Sequence, residues 1–164
     1  MFPNSGYTLV SEFKHTIMKT KLNLAACLLV GLTFGLSANA QKSVITKAAL
    51  PANAQTFLKT HFTGQEPTSI IEDKETFSKD YKVRFANNIE VEFDGKGNWE
   101  EVDGNHQTIP TTVIPKNIAT YIKTNFPNTT VTKIDKGTWG YEVDLSNGIE
   151  LEFNSKGNFL RIDN

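Results

Sequence analysis

The chain has 164 residues, 38% hydrophobic and 21% charged, with 17 basic and 18 acidic side chains for a net charge of −1. That balance argues against a nucleic-acid or anionic-membrane partner, either of which calls for a basic surface. The lone cysteine, Cys27, excludes an intramolecular disulfide, so stability has to come from packing.

Residues 1–17 are polar and read as an over-long gene model, with Met18 as the start. From there Met18-Lys19-Thr20-Lys21, an apolar run over 22–36 and Ser37-Ala38-Asn39-Ala40 form the basic, apolar and small-residue parts of a secretory signal, cleaved after Ala40. The run is too short to remain as a membrane span. Leu24-Ala25-Ala26-Cys27 has the shape of a lipid-attachment box, but most of the apolar run lies beyond the cysteine, which favours the soluble reading. Cleavage removes Lys14, Lys19, Lys21 and Glu12, taking the net charge from −1 to −3. The exported chain is expected to be periplasmic or secreted, with no permanent membrane insertion.

Residues 41–49 form a lead-in, and the rest of the chain is one motif written twice, over 50–104 and 114–164, joined by a linker at 105–113. Leu50-Pro51-Ala52-Asn53 matches Ile114-Pro115-Lys116-Asn117, and Lys59-Thr60-His61-Phe62 matches Lys123-Thr124-Asn125-Phe126. In each copy apolar residues at helical spacing come after a proline suited to a first turn, which predicts one amphipathic helix. Less regular strands are expected near 69–73 and 131–135. Then Tyr81, Val83, Phe85 and Ile89, Val91, Phe93 alternate with charged residues, as do Tyr141, Val143, Leu145 and Ile149, Leu151, Phe153, the period of a sheet with one buried face. Ala86-Asn87-Asn88 and Ser146-Asn147-Gly148 suit three-residue hairpins with a left-handed third residue. They pair Val83 with Val91 and Val143 with Leu151. A four-residue turn at Gly95-Lys96-Gly97-Asn98 and at Ser155-Lys156-Gly157-Asn158 places Phe153 opposite Leu160 and Leu151 opposite Ile162; by the same register Glu100 faces Phe93.

A unit of about 50 residues with one helix buries too little surface to stand alone without staples. The expected fold is therefore α+β: tandem α-β-β-β-β repeats forming one antiparallel, eight-stranded sheet with both helices on one face. The Leu-Pro or Ile-Pro helix ending in Phe, Tyr-x-Val, the Asn-Gly-like turn, Ile-Glu-x-Glu-Phe and Lys-Gly-Asn-aromatic together resemble the PepSY-like domains of secreted bacterial proteins. The resemblance covers nearly all of 50–164 and implies the fold of the β-lactamase inhibitory protein. In that inhibitor the open face of the sheet grips an enzyme. No motif here carries over its contact residues, so an inhibitory or regulatory role rests on fold analogy alone.

No nucleophile–base or metal-ligand pattern surrounds His61 or His106, and no catalytic residue, cofactor or metal site is assigned. Asp94-Gly95-Lys96-Gly97-Asn98-Trp99-Glu100 superficially resembles a calcium loop, but the second copy keeps only its turn residues, which favours a plain hairpin. The registers put Lys82, Arg84, Glu90, Glu92, Glu101 and Asp103 on the open face of copy one, and Glu142, Asp144, Glu150, Glu152, Arg161 and Asp163 on that of copy two. Trp99 and Phe159 are expected on the same face beside the second turns. The sequence thus points to a non-enzymatic module that docks a protein or peptide, one with a basic segment, through Trp99, Phe159, Glu142, Asp144, Glu150 and Glu152. The alternatives are a carboxylate-based enzyme and a cation-binding or structural envelope protein.

Overall fold

The computed structural model describes residues 41–75 and 77–163, so the expected secretory signal and Cys27 lie outside the described residues. In chain order the elements are β1 (Gln41–Val44), α1 (Ala52–His61), β2 (Pro67–Lys74), β3 (Lys79–Phe85), β4 (Glu90–Phe93), β5 (Trp99–Asp103), α2 (Lys116–Asn125), β6 (Val131–Lys136), β7 (Gly140–Leu145), β8 (Glu150–Asn154) and β9 (Phe159–Asp163). All nine strands join one antiparallel sheet in the order of the sequence. The ninth strand comes from the lead-in, where β1 pairs along β2 from Gln41↔Lys74 to Val44↔Ile71.

Each helix enters through a proline, Pro51 at φ −55° and Pro115 at φ −54°, after a short 3₁₀ turn at Lys47–Ala49 or Thr111–Val113. The ring fixes φ near the helical value, so the first turn is pre-set. The buried stripe is Ala54 and Leu58 on α1 and Ile118 and Ile122 on α2. These lie on a sheet face made of Tyr81, Val83, Val91, Phe93, Val102, Ile134, Val143, Leu151 and Phe153, each at most 3% exposed. Burying one such side chain is worth about 1.5–3 kcal/mol, and the set runs unbroken across both repeats. At the joint, Val102 of β5 faces Ile134 of β6 with neither side chain exposed.

Turn chemistry holds as the spacing predicts. Asn88 and Gly148 occupy the left-handed region at φ 62° and 83°, and Tyr81↔Phe93, Val83↔Val91, Tyr141↔Phe153 and Val143↔Leu151 are in register. Gly97 has a particular reason to be glycine: at φ +80° a Cβ would stand 2.7 Å from Pro51 Cβ, so only glycine lets this turn approach the start of α1. The turn is tied there by Asn53 Nδ2, which donates to the Lys96 carbonyl at 3.3 Å; Asn117 donates to the Lys156 carbonyl at 3.1 Å in the second copy.

The last hairpin of each repeat departs from expectation. Phe93 pairs with Trp99 and Phe153 with Phe159, with a β-bulge in each ladder, while Val91↔Val102 and Leu151↔Ile162 stay in step. The extra residue is Glu100 or Leu160. Leu160 is therefore not opposite Phe153 and is 55% exposed, and Glu100 does not face Phe93. One inserted residue also reverses the facing of whatever precedes it, which moves Trp99 and Phe159 to the helix side.

Candidate functional site

Trp99 and Phe159 are not on the open face. Trp99 stacks on Phe57 of α1 at 5.8 Å, and Phe159 stacks on Tyr121 of α2 at 4.6 Å. Phe57 and Tyr121 also meet Phe93 and Phe153 edge-on at 5.6 and 5.5 Å. Each helix thus inserts one aromatic ring between two strand aromatics, and both residues serve helix–sheet packing rather than an exposed docking surface.

What remains on the open face is charge, set out in two rows by the strand registers. One row runs Lys82, Glu92, Glu101, Asp135, Glu142, Glu152 and Arg161; the other runs Arg84, Glu90, Asp103, Lys133, Asp144, Glu150 and Asp163. Ten acids stand against four bases over these positions. Asp135 and Lys133 are members that the sequence does not reveal, because a bulge between Val131 and Lys133 interrupts the alternation of β6.

The four bases bind particular acids. Arg84 holds Glu90 at 2.5 Å, Lys82 holds Glu92 at 2.6 Å, Lys133 reaches Asp135 at 3.0 Å and Glu101 at 3.4 Å, and Arg161 holds Glu152 at 2.6 Å. In copy one, opposite charges meet across the β3–β4 ladder. At the matching places on β7 and β8, Glu142 faces Glu152 and Asp144 faces Glu150. Carboxylate oxygens of Glu142, Asp144 and Glu150 lie within 4.8 Å of one another, Glu142 exposed and the other two half-buried.

That crowding changes the acid chemistry. Burial, and then the negative charges of Glu142, Asp144 and Asp163 with a hydrogen bond to Glu142, push the Glu150 carboxyl up to about 7. Glu101 is also pushed up to about 7, first by burial and then by Asp135, with Lys133 pulling the other way. Lys133 itself is shifted upward: burial would lower it, but its bonds to Asp135 and Glu101 outweigh that.

The other candidates sit in turns or on α1. Asp94 Oδ1 accepts from the backbone N–H of Lys96 and Asn98 at 2.9 and 2.8 Å, and Asn154 repeats this in copy two, so the calcium-like loop satisfies its own hairpin turn. His61 packs on Phe57 at 4.5 Å and burial lowers its pKa, while His106 is exposed in a turn at φ 70°. Among the described residues no helix is long and apolar enough to cross a membrane.

Comparison with known proteins gives a consistent picture. Residues 79–161 match the family model described as "Putative beta-lactamase-inhibitor-like, PepSY-like". A solved "putative calcium-regulated periplasmic protein" of Bacteroides thetaiotaomicron is 41% identical, covers 75% of this chain and 97% of its own, and superposes with a TM-score of 0.71. A "putative periplasmic protein" of Bacteroides vulgatus is 39% identical with the same coverage and a TM-score of 0.70. Another from that organism, of unknown function, is 33% identical, covers 76% of this chain and all of its own, and gives 0.69. No curated protein sequence matches this chain significantly.

Proposed function

This chain belongs to the PepSY-like, β-lactamase-inhibitor-like family, and from that premise we propose a periplasmic, non-enzymatic binding module whose acidic sheet face takes calcium through Glu142, Asp144 and Glu150. The observation that carries this reading is the convergence of the three carboxylates within 4.8 Å. Two oxygens on one calcium ion, each about 2.4 Å away, can be at most about 4.8 Å apart, and calcium prefers hard oxygen donors. The trio fits that ion in spacing and donor type, and lacks the sulfur and nitrogen donors that favour zinc or copper. Burial and the neighbouring negative charges hold Glu150 near 7, and a bound divalent charge would offset the repulsion among them. The relative described as calcium-regulated supports the same assignment, and the relatives described as periplasmic agree with the export signal.

Calorimetric titration of chelator-treated protein with calcium, beside thermal melts with and without it, tests the reading. We expect a saturable heat and a rise in Tm, both absent from the Glu142→Gln, Asp144→Asn, Glu150→Gln triple variant. A triple variant that binds as the parent does, or a parent that gives neither response, removes the site.

The excess of six acids over bases on this face favours a second reading, in which a basic segment of a partner protein lies along the same strip. Such binding would weaken steeply with salt and would compete with calcium. A carboxylate-based enzyme is the least favoured: separating two carboxyl pKa values for catalysis calls for a dry pocket, and a shallow cleft among the described residues, lined by Lys47, Gln55, Lys59, Phe62 and Glu66, lies at the end of α1.

A further inference from the structure

The two repeats place equivalent strands in different surroundings. β5 and β9 are the last strands of their copies, and β5 is covered by β6 through Glu101↔Asp135, Val102↔Ile134 and Asp103↔Lys133. On the far side, β1 lies on β2 as β5 lies on β6. β9 ends the sheet, and among the described residues no strand pairs beyond it. Its exposure reflects this: Val102 is fully buried, whereas the matching Ile162 is 44% exposed and Leu160 is 55% exposed. An edge strand with apolar side chains and free backbone groups is a template for another strand.

The covered joint shows which strand such an edge accepts. Read along β6, the covering triplet is Lys133-Ile134-Asp135: basic, apolar, acidic. The edge carries that order itself in Arg161-Ile162-Asp163. An antiparallel pair centred on Ile162 would set Ile162 against Ile162 of the second copy and, by symmetry, each Arg161 against an Asp163. Two opposite-charge pairs and one apolar pair result, each favourable across an antiparallel ladder. The covering strand at the internal joint is less well matched, since Asp135 there faces Glu101. Arg161 already gives one Nη to Glu152, and a guanidinium has five N–H donors, enough for a second carboxylate.

We propose that β9 is a self-pairing edge through which two copies of this chain form a two-fold symmetric dimer with a continuous sheet and all helices on one face. The contact is small, so the association is weak, with a Kd on the order of 100 μM. Asp163 faces Glu150 of the proposed cation site across the β8–β9 ladder, so the association is to be measured in chelator.

Sedimentation velocity over a concentration series should show reversible dimerisation of the parent protein. Asp163→Arg and Arg161→Asp each create like-charge pairs and should weaken self-association by about 10-fold or more, while an equimolar mixture of the two should form a heterodimer. Ile162→Cys should form an intermolecular disulfide under mild oxidation, since directly opposed Cα atoms in an antiparallel pair stand about 4.5–5.5 Å apart, within disulfide reach. A parent protein that stays monomeric at about 1 mM overturns the proposal. So does a mixture that associates no better than its components, or an Ile162→Cys protein that does not cross-link.

Discussion

Trp99, at the start of β5, stacks on Tyr141, in β7, with ring centroids 6.3 Å apart and 29° between the planes. Its other neighbour is Phe57, and Lys136 Nζ stands 5.4 Å from its ring centroid. One indole therefore touches α1 of its own repeat and the second strand of the next, closing the joint between copies on the helix side.

Trp99→Ala should cost about 3 kcal/mol of stability, the range for removing a large packed aromatic, and should leave the calcium response of the opposite face intact once folded. Chemical denaturation with linear extrapolation measures it. An unchanged midpoint would mean that the ring is not part of the packing.

The joint also predicts that neither repeat stands alone. Residues 41–107 would expose Val102 and Trp99, and residues 108–164 would expose Ile134 and Tyr141, with no disulfide to constrain either unfolded chain. Expressed separately, both fragments should lack a cooperative melt, and mixing should restore one. A cooperative transition near the full-length midpoint in either fragment contradicts this.

Replacing Glu142 with Lys and Asp144 with Arg copies the charge pattern of β3 onto β7. Repulsive pairs with Glu152 and Glu150 become attractive ones, so stability should rise by about 1–2 kcal/mol at low salt, and the calcium response should vanish. Melts at two salt concentrations check the first part and calorimetry the second. A double variant that still binds calcium would move the site elsewhere.

The pH dependence has two windows of opposite sign. Glu150 and Glu101 have folded values near 7, above their ordinary 4.5. Between those values the folded state holds more protons than the unfolded one, so stability is present below 4.5 and declines as pH rises through 7. Glu72 is held down at about 2 by hydrogen bonds from Lys74 and Lys79. Its contribution is present above 4.5 and is lost as pH falls toward 2. Calcium-free melts should therefore decline from pH 5 to 8, less so in Glu150→Gln, and calcium affinity should strengthen over the same range as Glu150 ionises. A parent and a Glu150→Gln variant with the same pH profile would show that Glu150 does not titrate there.

The repeat, the helix and strand types and the registers of the first hairpins are legible in the sequence, because period-two alternation and left-handed turn residues are local signals. Glu142, Asp144, Glu150 and Glu152 fall on one face by the same reading, since their hairpin is regular. Trp99 and Phe159 escape it for a nonlocal reason. A bulge inserts one residue where the ladder bends, and only helix packing against Phe57 and Tyr121 reveals that the parity has changed. The ninth strand is hidden because Gln41-Lys42-Ser43-Val44 has no pattern of its own and becomes a strand only by pairing with β2. Lys133 and Asp135 join the acidic face only through the β5–β6 joint. Tertiary structure alone decides that, among the described residues, β6 covers β5 while no strand pairs beyond β9, because that depends on which strand lies beside which.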